Sequence, residues 1–75
     1  MLFLISQGQT FLGVLEVGNS IDDFYRRARK LISSHFNTHP DNVGLHINEM
    51  GYSLGALQRN FQAEAGGELV EFEIS

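Results

Sequence analysis

Four groups of residues in this chain have types and spacings that could do chemistry. Gly51-Tyr52-Ser53-Leu54-Gly55 spells G-x-S-x-G, a pattern that elsewhere holds a nucleophilic serine on a sharp strand-to-helix turn. Such a serine needs a histidine to take its proton and a carboxylate to orient that histidine. Around this pattern the partners follow the serine in the order acid, then histidine. Here His35, His39 and His46 all precede Ser53. The same residues have simpler work: Gly51 permits a turn, Ser53 caps a helix, and Gly55 is small near the helix start. Ser53 is therefore read as a cap, and a small serine hydrolase built on it is kept only as a third functional reading.

The second group is Phe24-Tyr25-Arg26-Arg27-Ala28-Arg29-Lys30, which holds four of the five basic residues. On a helix, Arg26, Arg27, Arg29 and Lys30 lie opposite the apolar stripe. Such a face can follow a phosphate backbone or meet an acidic protein. Phe24 and Tyr25 belong to the buried side, so they offer no stacking platform. Asp22 with Arg26 and Asp23 with Arg27 have favourable i,i+4 spacing, as on an ordinary solvated helix. The third group is the histidines. His35 and His39 would face one metal only if a helix ran through both, and Pro40 opposes that. With no cysteine, His46 or Asp41 would have to complete the set. No metal is assigned. The fourth group is Glu64, Glu68, Glu71 and Glu73. Glu71 and Glu73 on one strand would stand about 7 Å apart, two strand rises. Such a row can imitate phosphates, pair with the basic helix, or guard a sheet edge.

These groups need elements to hold them. Leu2 to Ser6 and Thr10 to Val17 are apolar runs joined through Gln7-Gly8-Gln9, the signature of a hairpin. Alternation sets Leu2 and Leu4 against Phe3 and Ile5, and Phe11 and Leu15 against Leu12 and Val14, so both faces are apolar. Ser20 to Phe36 predicts a helix with Ile21, Phe24, Tyr25, Ala28, Leu31 and Ile32 on one face, Ser20 as its cap and Asp23 as a short capping-box partner. Asn37 to Asn42 is a turn cluster. Val43, Leu45 and Ile47 alternate with polar or small residues and predict a strand, against a helical alternative. Ser53 to Ala65 predicts a second helix, with Leu54, Leu57, Phe61 and Ala65 as its stripe and Gly66-Gly67 as its stop. Glu68 to Ile74 predicts a last strand, with Val70, Phe72 and Ile74 inward.

Composition bounds the rest. A chain of 75 residues is read as one small α+β domain. Apolar residues are 43% and charged residues 19%, a globular balance. With no cysteine there is no disulfide to staple it. The opening Met-Leu-Phe-Leu-Ile run is too short for a membrane span, and a cytoplasmic setting with no membrane partner is expected. A net charge of -4 argues against general affinity for nucleic acid.

The order β-β-α-β-α-β predicts a small, mainly antiparallel sheet with two helices packed on it. The functional expectation is a non-catalytic protein-binding module. Its concrete form is an inhibitor of a nucleic-acid-handling complex, of the kind phages and mobile elements encode. Arg26, Arg27, Arg29 and Lys30 make one contact surface; Glu68, Glu71 and Glu73 make the other. No catalytic residue or cofactor is assigned. Nucleic-acid binding through helix residues 26–30 is the alternative. The doubly apolar hairpin predicts a homodimer, because two helices cover only one face of the sheet.

Overall fold

The computed structural model describes residues 1–18, 20–47 and 60–75. Leu2–Gln7 (β1) and Thr10–Glu16 (β2) pair as the expected hairpin. Strict alternation fails inside it. Ile5 faces Gly13 but Ser6 faces Phe11, so Leu12 is an extra residue, a β-bulge. A bulge reverses which side the following residues face. Leu12 turns inward with buried Leu15, and Phe11 turns outward with Val14. The expected opposition of Phe11 and Leu15 to Leu12 and Val14 is thus corrected.

Ile21–His35 (α1) is the expected helix. Phe24, Ala28 and Ile32, spaced by four, are fully buried beneath it. The Ser20 hydroxyl accepts from the Asp22 amide at 3.1 Å, as an N-cap does. The helix ends on Asn37 with φ 55°, while the Thr38 amide donates to the Ser33 carbonyl and the Asn37 amide to the Ser34 carbonyl. That pairing satisfies two of the last carbonyls in the Schellman manner, with Asn in the place glycine usually takes. A 3-10 turn at Pro40–Asn42 leads into Val43–His46 (β3), so the strand reading of this run holds.

The second predicted helix is corrected in its C-terminal part. Asn60–Ala65 is a strand (β4), hairpinned through Gly66-Gly67 to Glu68–Ile74 (β5). Phe61, Ala63 and Ala65 are buried while Asn60, Gln62 and Glu64 are exposed, a period of two. Phe61 and Ala65 fit a helical stripe as well, and Ala63 decides between the two. The remainder of that predicted helix, with Ser53 and the G-x-S-x-G stretch, lies outside the described residues.

The five strands form one antiparallel sheet in the order β2-β1-β5-β4-β3. The architecture is therefore α+β, with one helix rather than two among the described residues. β2 and β3, which precede and follow α1, are the two edges. Four strand spacings make about 19 Å. A helix of 15 residues is about 22 Å long. The helix can therefore carry the chain from one edge to the other and roof a single face. Beneath it, Phe24 meets Phe3 edge-on at 5.2 Å, and Phe72 stacks on its cross-strand neighbour Phe61 at 5.5 Å. Among the described residues no helix is long and apolar enough to cross a membrane.

Candidate functional site

The basic run lies on the outer side of α1, as its spacing predicts. Arg26, Arg27, Arg29 and Lys30 are all exposed. Their electrostatics differ from the expected pairs. Asp23 alone takes both Arg26 and Arg27, with Arg27 Nε 3.0 Å from its Oδ2, and Arg26 does not turn to Asp22. Asp23 also accepts the Gly18 amide at 3.1 Å, so it clamps the chain entering the helix rather than closing a capping box on Ser20. Arg29 and Lys30 have no ion-pair partner among the described residues. Half of the cationic run is thus already partly neutralised, which weakens it as a phosphate track.

The Gly18 amide, then the guanidinium groups of Arg26 and Arg27, hold the Asp23 carboxyl at about 2, below its ordinary 3.8. A carboxylate whose folded pKa is depressed stabilises the fold above the unfolded value, and that contribution disappears as pH falls through the folded one. Stability should therefore drop between pH ~4 and ~2 through this group, and Asp23→Asn should remove that part of the acid profile. Thermal unfolding in a pH series checks it. A wild type and a mutant that lose stability in parallel over this window would show that the clamp contributes nothing.

The histidines are dispersed. His35 Nε2 lies 3.2 Å from Gln7 Oε1, His39 Nδ1 accepts the Asp41 amide at 3.1 Å, and His46 Nε2 is 3.8 Å from Glu64 Oε2. Among the described residues no three His, Cys, Asp or Glu side chains gather as metal ligands.

The acidic group divides. Glu71 and Glu73 stand on the sheet face opposite α1, opposite Gln62 and Asn60 of β4. Glu68 sits beside the hairpin turn with the parity of the helix side, so it does not share their surface. β5 is the central strand, hence these residues guard no edge. Nor do they meet the basic helix, which lies across the sheet from them. Glu64 of β4 joins Glu71 and Glu73 on the open face, through its pairing with Leu69.

The open face has two halves, and no described element packs on it. Over β5 and β4 it is mostly carboxylate and amide, with Leu69 exposed beside Glu64. Over β1 and β2 it is largely apolar, with Leu2, Leu4, Phe11 and Val14 exposed and with Ser6 and Glu16 opposite Phe11 and Leu2. Phe11 and Leu12 are the residues whose sides simple alternation misassigns, since nothing in an apolar run signals a bulge. In comparisons with known proteins, no family model, curated protein or solved structure matches this chain.

Proposed function

We propose that this chain is a non-catalytic protein-binding module, acting in the cytoplasm as an inhibitor of a nucleic-acid-handling complex. The observation behind this reading is the open sheet face, where Glu71 and Glu73 project side by side from the central strand, away from every arginine of α1. Carboxylates two strand rises apart on a strand paired on both sides present a spaced row of negative charge to a cationic groove. A sheet interior holds such groups in place with little ordering cost on binding. Arg29 and Lys30, with the partly neutralised Arg26 and Arg27, form the second contact surface on the far side of the molecule. Glu68, at the hairpin turn, borders neither half of the open face and would make only a rim contact.

Affinity capture from the native host's lysate tests the reading. The wild type should retain a specific protein set, and the double reversal Glu71→Lys/Glu73→Lys should lose it while its circular dichroism stays native. Both residues are exposed, so reversal leaves the core untouched. Capture of nothing beyond a tag-only control by the wild type, or equal capture by the reversed variant, would remove the acidic face from the account.

A further inference from the structure

The apolar half of the open face is built, not incidental. Leu4 of β1 is directly opposite Val14 of β2, and Ser6 is directly opposite Phe11, so Leu4, Val14 and Phe11 are neighbours on one surface, extended by Leu2. Their exposures are 41% for Leu4, 49% for Val14, 60% for Phe11 and 67% for Leu2. Were Leu12 paired in a regular register, with no bulge, Phe11 would share the parity of buried Leu15 and point at the helix. Bulges re-aim side chains in this way, and here the result is an aromatic ring in the solvent. Together the four expose roughly 400 Å² of apolar surface, within the range of monomer patches that often serve contacts, and Glu16, directly opposite Leu2, borders it at the open end of the hairpin.

We infer that this patch binds a second copy of the chain, face to face, across a two-fold axis running along β1 and β2. The inference rests on the protein-binding reading and supplies one of its partners. Three features select this occupant and this geometry. β2 is an edge strand, yet its bulge spoils the regular ladder that edge-to-edge pairing needs. Contact therefore falls to the side chains of the face rather than to the backbone of the edge. Charge selects the axis. With the axis along the strands, only the two hairpins overlap, and each copy's Glu71 and Glu73 are carried to opposite flanks, leaving Glu16, exposed at the open end of the hairpin, as the one carboxylate near its own copy. An axis across the strands would lay those carboxylates over their own copies, in a chain of net charge -4, and like-charge contact of that kind is costly. Size fits too. A two-fold contact uses the patch twice, and roughly 800 Å² of apolar surface is in the range of weak, reversible contacts, below the ~1,200 Å² of stable specific interfaces. Both acidic halves and both basic helices remain exposed in such a dimer.

Sedimentation equilibrium from micromolar to millimolar concentration tests this, with unfolding curves recorded on each variant. The wild type should show a reversible transition from 8.4 kDa to twice that mass. Phe11→Asp should weaken association at least a hundredfold. Leu69→Asp, equally exposed at 57% on the same sheet face but remote from the hairpin, should leave it unchanged. Because Phe11 sits beside its own copy across the axis, a mixture of Phe11→Asp with Phe11→Lys should associate again, a result that misfolding of either variant cannot produce. A wild type that stays monomeric throughout, or a dimer that Phe11→Asp leaves intact, overturns the second copy as occupant. Neither result touches the lysate capture through Glu71 and Glu73, so the two readings fail separately.

Discussion

Replacing Phe72 by alanine should cost about 3–5 kcal/mol, the usual loss when a buried phenylalanine is truncated and its cavity only partly collapses. Phe72 is fully buried on the central strand. It stacks on Phe61 at 5.5 Å and meets Phe36, just past the helix, edge-on at 6.1 Å. One ring therefore ties β4, β5 and the end of α1 together. At roughly 0.05–0.15 kcal/mol per residue, a chain of 75 residues has about 4–11 kcal/mol in all, so this single truncation removes about a quarter of it or more. Leu69→Ala on the same strand, where the side chain is 57% exposed, should stay within about 0.5 kcal/mol of wild type. Urea unfolding at one fixed protein concentration measures both, since association would otherwise move the midpoint. A Phe72→Ala variant as stable as Leu69→Ala would mean that the aromatic cluster is not the centre of the core.

What the sequence makes legible is local. Helix α1 declares itself twice, through the four-residue spacing of Phe24, Ala28 and Ile32 and through Ser20 and Asn37 at its ends. β3 and β5 declare themselves by alternation, and so the outward direction of Glu71 and Glu73 is readable from the residue pattern alone. β4 is misread because Phe61 and Ala65 satisfy both periods, and because a pair of glycines ends a helix as readily as it turns a hairpin. The bulge at Leu12 is invisible, since every residue from Phe11 to Leu15 except Gly13 is apolar and one inserted residue leaves no mark on such a run. Strand order is set by pairing between the two ends of the chain, β1 with β5. That long-range choice is what makes Glu71 and Glu73 residues of a central strand rather than guards of an edge, whereas Glu68 falls outside their group by its parity on β5, opposite Ala65.

The hairpin that replaces the predicted helix end carries the second large expectation. Gly66 has φ 61° and Gly67 has φ 81°. A helix stop needs the left-handed conformation at one residue, whereas a two-residue turn of type I′ needs it at both. Each L-residue forced there costs about 1–2 kcal/mol, so Gly66→Val/Gly67→Val should lose ~2–4 kcal/mol. No neighbouring atom lies within 4 Å of a Cβ built at either position, so the loss is one of backbone conformation and not of crowding. Two comparisons sharpen it. Each single valine should cost about half the total, whereas under a helix stop one of them would be nearly silent. Gly66→Asn should stay close to wild type, because Asn tolerates the left-handed region and Asn-Gly is the preferred pair for this turn. The turn sets the register that places Phe61 opposite Phe72. Its weakening should therefore appear in hydrogen exchange as lost protection along β4 and β5 before β1 or α1 responds. A double-valine variant that unfolds at the wild-type urea midpoint, with β4 amides still protected, would contradict the hairpin and return residues 60–65 to the helix.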